Sequence, residues 1–522
     1  MNAAETHHQN LIPGKKHAPE NLGRVLVVGL GKSGKAAVQY CASLLGSRVK
    51  SLDVSAGKRN ADAEAFVDTF AGQDIRFAFE WETFEDTYDL CIVSPGISDL
   101  SDLYKNAAAA SAEMVSELEF AWRESETDSL WVAITGTNGK TTTTSLIEHI
   151  CLSAGLDAHA VGNIGEVALL AVWQAPVKVY VAEISSFQLA TTSLFAPDVA
   201  VLLNVTPDHL YWHGTMDRYI EAKARVLARL DAASGPEGKG AIAVVDCTDE
   251  IAGRLADEFR AGNPDVAIIR MVDAETAAKA KEAGIHGPEY FAYEAEGHLR
   301  IRFAHAGDVC AIDDLQIKGE HNVLNALAAA SASLALGISA QDVARGLVTF
   351  APLEHRIEPC GEAGGIRFFN DSKGTNVDAT LKAFTAFAPK SIICLLGGTD
   401  KGTDLTPLVE AARARCKAVV CYGDSRARFL EAFGVDAETA KAGEGYSFGN
   451  LDVLVADRMA DATRLAVAYA SPGDNVLLSP ACASFDEFKG YEERGRIFKA
   501  QVRDEFGATV PAPAPAPEQI NG

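Results

Sequence analysis

Closely spaced cysteine pairs are missing from this 522-residue chain. Its ten cysteines stand at 41, 91, 151, 247, 310, 360, 394, 416, 421 and 482, with no Cys-x-x-Cys among them. That argues against metal knuckles and thioredoxin-like redox chemistry, and it suits a reducing cytoplasm. No run of 18 apolar residues occurs, so no membrane-spanning helix is expected. Residues 1–21 carry His7, His8, Lys15 and Lys16 but no apolar stretch, and they do not read as a signal peptide. Positive charge is in short supply: 47 Lys and Arg face 71 Asp and Glu, a net of −24. Such a balance argues against wrapping nucleic acid or lying on anionic lipid, while leaving room for a local basic pocket.

What is present is ordinary for a soluble globular protein with sizeable cores: 48% hydrophobic and 23% charged residues. The length suggests three or four domains. Residues 1–21 are expected to be a disordered extension, and 508–522, with Pro511 to Pro517 alternating with alanine, a stiff disordered tail. Between them strands alternate with helices in three blocks, 22–116, 117–351 and 352–507.

The strongest chemical signal is Thr135-Gly136-Thr137-Asn138-Gly139-Lys140-Thr141-Thr142-Thr143. An apolar strand, 130–134, precedes it and a helix beginning near Ser145 follows. Strand, glycine-rich turn, Lys-Thr and helix together hold a nucleotide triphosphate. Backbone N–H groups close around phosphate oxygens, the lysine neutralises the outer phosphates, and the threonine hydroxyl reaches Mg2+. The loop departs from the general phosphate-loop spacing, because Ile134 stands where the first glycine belongs. Glu183 closes another buried strand, where a carboxylate beside a phosphate loop can hold Mg2+. Asn204-Val205-Thr206-Pro207-Asp208-His209 follows a third strand, and Tyr219 and Lys223 lie four apart on one helix face. Alone, Lys223 would read as a solvated surface lysine. Asn322 and Asn325 stand one turn apart at a helix start, where they can cap it or read an adenine or ribose. Arg356 lies at the junction of blocks two and three.

The first block opens with Gly29-x-Gly31-x-x-Gly34, followed by Asp53, the textual fingerprint of dinucleotide binding. Read alone it makes the chain a nicotinamide oxidoreductase. The same turn holds any diphosphate at a helix N-terminus, a UDP-sugar included, and nothing else here looks like hydride-transfer machinery. Ser94-Pro95-Gly96 follows a strand at the same sheet edge. In the third block, loops at 370–376, 397–402 and 479–488 all follow strands, and three polar loops on one sheet edge make a binding site by geometry.

Taken together these segments resemble the Mur ligases of bacterial cell-wall synthesis over about residues 22–505. The resemblance rests on Thr135–Thr141, Glu183, Asn204–His209, Lys223, Gly319-x-His-Asn322-x-x-Asn325 and His355-Arg356. Asp371–Asn376, Gly398–Lys401 and Ser479–Phe488 resemble the members that add D-glutamate. It implies an α/β fold of three domains: a Rossmann-like N-terminal domain for the UDP substrate, a central P-loop ATP-binding domain with a mainly parallel sheet, and a Rossmann-like C-terminal domain for the amino acid. It implies an ADP-forming amide ligase working through an acyl phosphate on UDP-N-acetylmuramoyl-L-alanine and D-glutamate, with ATP and two Mg2+, as a cytoplasmic monomer. A related ligase for another amino acid is the alternative. Implied roles are Gly136, Thr137, Asn138, Gly139, Lys140, Thr141, Thr142, Asn322, Asn325 and Arg356 for ATP; Thr141, Glu183, His209 and an N-carbamoylated Lys223 for metal; and Lys140, Lys223, His209 and Arg356 for catalysis. Gly31, Lys32, Ser33, Gly34, Asp53, Ser94, Pro95, Gly96 and Asn163 would hold the UDP substrate. Lys373, Thr375, Lys401, Ser484 and Tyr491 would frame D-glutamate. Tyr211, Tyr491 and Lys32 depart from residues common at those places in the family.

Overall fold

The computed structural model describes residues 10–284, 288–304, 306–317, 319–400 and 402–509. Contacts divide the chain into two compact units. One comprises residues up to 315 with 322–350; the other comprises 316–321 and the chain from 351 onward.

Two sheets build the first unit. The N-terminal sheet is wholly parallel: β1 (Gly23–Val28), β2 (Val49–Ser55), β3 (Ile75–Ala78), β4 (Tyr88–Val93) and β5 (Ser111–Ser116), in the order β3-β2-β1-β4-β5. Strand order reverses between β1 and β4, where an open α/β sheet presents its ligand crevice. There the glycine loop after β1 meets Ser94, whose hydroxyl donates to the Gly29 carbonyl at 3.2 Å. Gly34 is required by that approach: a Cβ on it would lie 1.9 Å from the Gly29 oxygen.

The second sheet holds β6 (Leu130–Thr135), β7 (Ala158–Gly162), β8 (Val179–Glu183), β9 (Val199–Leu202), β10 (Ile242–Asp246), β11 (Ala267–Met271), β12 (Glu289–Ala295), β13 (His298–Ile301) and β14 (Gly307–Ala311). Its order is β14-β13-β12-β11-β10-β9-β6-β8-β7, parallel from β7 to β12 and antiparallel across β12, β13 and β14. The central strands are buried, save the first residue of β6, as the apolar runs require of a sheet covered on both faces. Because β6 lies between β8 and β9, the segments after those two strands flank the phosphate loop.

The second unit carries β15 (Glu358–Ala363), β16 (Ile366–Asn370), β17 (Ile392–Gly397), β18 (Cys416–Tyr422), β19 (Gly445–Phe448), β20 (Leu451–Val455) and β21 (Asn475–Leu478). Its order is β15-β16-β21-β17-β18-β20-β19, with only the two edge strands antiparallel. β16, β21 and β17 are neighbours, so the loops that follow them leave the same edge side by side.

Residues 10–21 differ from the disorder expected of them. Lys16 and His17 donate backbone bonds to the carbonyls of Ser125 and Arg123, both at 3.0 Å, and Thr127 donates to Gly14 at 2.8 Å. The His17 ring stacks on Trp122 at 5.5 Å. This order comes from distant backbone partners, which local composition does not register. Residues 1–9 and 510–522 lie outside the described residues. Among the described residues no helix is long and apolar enough to cross a membrane.

Candidate active site

The phosphate loop runs from the end of β6 into the helix Lys140–Ser153, with Gly139 as its left-handed N-cap at φ 84°. The segment after β9 braces it. Asn204 accepts from Thr137 N on its carbonyl and from Asn138 N on its side chain, at 2.7 and 2.9 Å. Thr137 Oγ1 donates to the Thr206 carbonyl at 3.0 Å and accepts from Thr206 N at 2.9 Å. Asn204 and Thr206 thus hold the loop's shape, leaving Lys140 at the mouth, where its Nζ donates to the carbonyls of Gly136 and Thr137. Thr141 follows, half-buried in the first helical turn, and Thr142 is fully buried.

Lys223 is not a surface lysine. It is 2% exposed on the helix Met216–Ala224, its Nζ donates to Gly136 O at 2.7 Å, and it sits over the Tyr219 ring. Lys140 donates to that same Gly136 carbonyl, so two amines converge on one oxygen. Burial, and then the charge of Lys140, push the Lys223 pKa well down, against the opposing pull of Asp208 and Glu183. The amine is thereby biased toward its neutral, nucleophilic form.

Glu183 ends β8 beside this group. Its Oε1 accepts from Asn163 Nδ2 at 2.9 Å, while its buried Oε2 has no hydrogen-bond partner among the described residues. An orphaned buried carboxylate oxygen costs about 1–3 kcal/mol, which a hard cation would offset. A carboxylate oxygen like that of Glu183 and a hydroxyl like that of Thr141 are hard donors of the kind Mg2+ takes, and an ammonium like that of Lys223 is not. His209 takes a left-handed conformation, φ 54°, as N-cap of a short helix, with its ring 4.7 Å from Phe187 and its Nε2 3.5 Å from Asp208. Asn325 Nδ2 donates to Asn322 Oδ1 at 3.1 Å, and both are buried. Asn325 Oδ1 sits tightly against Gly139, where any Cβ would meet it at 2.3 Å. The two asparagines therefore border the phosphate loop.

Arg356 belongs to the second unit. It lies between His355 and Ile357, both left-handed at φ 65° and 45°, an uncommon conformation for a β-branched residue. Its buried Nε lacks a partner among the described residues. Glu354, His355 and Glu358 cluster closely enough to suggest a metal, but Lys499 Nζ bonds both carboxylates at 2.6 and 2.8 Å and takes the cation's place.

Among the residues expected to frame D-glutamate, Lys373 Nζ lies 5.6 Å over the Tyr491 ring and Ser484 is buried. Thr375 N donates to the Lys373 carbonyl at 2.8 Å. Lys401 lies outside the described residues. What joins the loops is a residue that motif reading passed over. Arg494, fully buried, donates from Nε to Ser372 Oγ, from Nη2 to the carbonyls of Ser372 and Cys482, and from Nη1 to those of Cys482 and Ala483, at 2.7–3.2 Å. A fully charged residue among the acidic neighbours Glu492 and Glu493 reads as a solvated helix face, so only its long-range contacts reveal it.

Asp371 opens the same loop. It accepts from Ser479 Oγ at 2.7 Å, and burial pushes its pKa up to about 6 despite the nearby Arg356 charge. A carboxyl raised in the fold costs stability when ionised, so the cost grows as pH rises above the unfolded value near 4 and is complete above 6. Asp371→Asn is expected to be more stable than the parent by about 3 kcal/mol at pH 8. That advantage should fade as pH falls through 6 toward 4. Denaturant unfolding of both proteins at pH 8, 6 and 4.5 measures it, and a pH-independent difference would contradict the assignment.

In the N-terminal sheet Gly31 and Lys32 are exposed, Ser33 is half-buried and Gly34 is buried. Ser94, Pro95 and Gly96 form the turn facing them across the strand-order reversal. Asp53 lies within β2, its carboxylate accepting from Tyr88 OH at 2.7 Å. Asn163 is placed with Glu183 and not with the glycine loop.

Comparison with known proteins adds to this geometry. A family model described as the Mur ligase middle domain matches residues 134–333, and one described as the Mur ligase glutamate ligase domain matches residues 355–482. The chain is 38% identical over 481 residues to the UDP-N-acetylmuramoylalanine–D-glutamate ligase of Pelotomaculum thermopropionicum, covering 92% of this chain and 97% of that protein. It is 36% identical over 487 residues to the protein of the same name from Thermoanaerobacter pseudethanolicus, covering 92% and 98%. Among solved structures, the UDP-N-acetylmuramate–alanine ligase of Thermotoga maritima superposes with a TM-score of 0.52 at 17% identity over 92% of this chain and 99% of that one, a likeness of fold.

Proposed function

The chain belongs to the Mur ligase family, and we propose from that premise that it joins D-glutamate to UDP-N-acetylmuramoyl-L-alanine in cytoplasmic peptidoglycan precursor synthesis, cleaving ATP to ADP and phosphate. The observation that carries this reading is the near-full-length identity to relatives named for that reaction. The three loops on adjacent strands of the second unit support it, as does the lysine-bearing phosphate loop beside an orphaned Glu183 oxygen.

In this reading an oxygen of the alanyl carboxylate bonds to the γ-phosphorus of ATP, and the bond from that phosphorus to ADP breaks. The D-glutamate nitrogen then attacks the acyl carbon, the bond from carbon to phosphate breaks, and an amine proton passes to a nearby carboxylate. Phosphoryl transfer of this kind is mainly positioning and charge neutralisation. Lys140 and the loop N–H groups from Gly136 to Thr142 carry that work, while Asn322 and Asn325 hold the nucleoside. Two Mg2+ held by Thr141, Glu183, His209 and Lys223 would neutralise the remaining phosphate charge. Lys223 would join them as a carbamate: its neutral Nζ would bond to the carbon of CO2 and release a proton, turning a buried amine beside Lys140 into an anion. Gly31, Lys32, Ser33, Gly34, Asp53, Ser94, Pro95 and Gly96 hold the UDP end and Asn163 the muramoyl end. Lys373, Thr375, Lys401, Ser484 and Tyr491 receive D-glutamate.

Phosphate release from ATP, measured with UDP-N-acetylmuramoyl-L-alanine and single amino acids, tests the proposal. D-glutamate alone is expected to support turnover. Equal use of L-lysine or a diamino acid moves the chain to another branch of the family, and nucleotide-dependent NADH absorbance without phosphate release overturns the ligase reading.

A further inference from the structure

Two loops from different sheets of the first unit meet at one junction. The segment after β4 runs from Ser94-Pro95-Gly96 on to Ser98, Asp99 and Leu100, and the segment after β9 runs through His209 into the short helix Leu210–His213. Ser98 Oγ donates to the Trp212 carbonyl at 2.7 Å, and Arg218 Nη2 donates to Asp99 Oδ2 at 2.6 Å, across 114 and 119 positions of chain. Leu100 lies against Gly214, which ends the short helix at a φ of 79°; a Cβ there would meet Leu100 Cδ1 at 3.2 Å. The turn assigned to UDP is thus joined, through printed side-chain bonds, to the helix that His209 caps.

One side of that helix is anchored. The Trp212 ring stacks on Phe187 at 4.8 Å, and His213 Nε2 shares a hydrogen bond of 2.9 Å with Ser186 Oγ. The other side faces outward. Tyr211 is 80% exposed, and Leu210 and Leu100 are each 42% exposed. Eight large hydrophobic side chains are exposed among the described residues; three of them stand at this junction, and Tyr211 is the most exposed of all. Exposed apolar residues scattered singly need no explanation, whereas a cluster with a polar rim marks a binding surface. The Tyr211 ring meets the His209 ring edge-on at 5.9 Å, so the aromatic stands beside a residue assigned to the metal.

What lies on either side identifies the occupant. The UDP substrate is one extended molecule, with its nucleotide at the turn after β4 and its acyl carboxylate at the phosphate loop. Between the two ends comes the amino-sugar ring, uncharged, with a C–H face and the methyl groups of its acetyl and lactyl substituents. Such a group suits an aromatic face flanked by leucines. We propose that Tyr211, with Leu100 and Leu210, receives the N-acetylmuramoyl ring, which makes Tyr211 a specificity-determining residue for the acceptor substrate. The inference rests on the UDP assignment made above for the turn after β4.

Calorimetric titration of the full chain with UDP, and separately with UDP-N-acetylmuramoyl-L-alanine, tests it. Tyr211→Ala should weaken binding of the whole substrate about tenfold, the loss of one apolar ring contact, and leave the Kd for UDP unmoved, since UDP has no sugar to reach Tyr211. Tyr211→Phe keeps the ring and should bind the substrate within about twofold of the parent, while Leu100→Ala should weaken it about threefold. Parental affinity for the whole substrate in Tyr211→Ala overturns the proposal. So does an equal loss for UDP, which would make the residue a support of the loop, and so does a loss in Tyr211→Phe as large as in Tyr211→Ala. Unmoved Kd values together with a shift from dimer to monomer in Tyr211→Ala, read by sedimentation, would give the surface to a second copy of the chain and overturn it too. A parent that binds neither ligand overturns both this inference and the UDP assignment; a parent that binds both, with unmoved variants, overturns the inference alone.

Discussion

Lys223→Ala is expected to lose ligase turnover by about a thousandfold while remaining folded, and to regain part of it when a short carboxylic acid is supplied. The size of the loss follows from removing one charge-stabilising group at a phosphoryl-transfer centre, worth about 10² to 10³ in rate. Retention of the fold follows from what Lys223 is without the carbamate: a buried amine whose pKa is driven down by desolvation and by Lys140. Deleting it removes a like-charge conflict over the Gly136 carbonyl as well as some packing. Rescue separates the carbamate from an ammonium role, because an added carboxylate replaces a ligand and not a cation. Added bicarbonate should raise the activity of the parent and do nothing for the variant. Turnover of the variant at the parental rate, or rescue by a short amine in place of the acid, would end the carbamate assignment. Density beyond Lys223 Nζ in a metal-bound crystal would support it directly.

Lys223 also shows what the sequence could and could not convey. Its phase on the helix with Tyr219 was legible, because spacing of four puts both on one face. Its burial was not, because the helix carries four charged residues in nine and what covers Lys223 is the turn at Gly136, some 87 positions away. The buried strands, the glycine turns and the three loops of the third block were readable, since apolar runs ended by Gly, Ser and Asn carry their own signal. The antiparallel arm β12–β14 was not, because strands such as Glu289–Ala295 and His298–Ile301 mix charged and apolar residues without a long apolar run. Buried ion clusters were invisible for the same reason. Glu119 and Arg123, 2.5 Å apart, look like an exposed i,i+4 pair, yet both are covered. Charge reads as surface until long-range packing says otherwise.

Arg494→Ala is expected to raise the KM for D-glutamate about a hundredfold or more, leaving the KM for ATP and for the UDP substrate within about twofold. The guanidinium joins Ser372 to Cys482 and Ala483, and the next residues along the chain are Lys373 and Ser484, two of the groups assigned to D-glutamate. Without it the carbonyls of Ser372 and Cys482 lose buried donors, at about 1–3 kcal/mol each. The loops should relax apart, and a displacement near 1 Å at a binding group is enough for about a hundredfold loss. Arg494→Lys should not rescue, because an ammonium is a point charge and cannot span five bonds in a fixed fork. The KM split is what distinguishes positioning from global damage: a merely destabilised protein would lose all three substrates together, or show a lower melting temperature with unchanged KM. A folded Arg494→Lys variant with parental D-glutamate KM would show that the loops hold themselves. A raised D-glutamate KM with the other two KM values unmoved, in both variants, places the specificity for the incoming amino acid partly in a side chain that holds the loops and not the substrate.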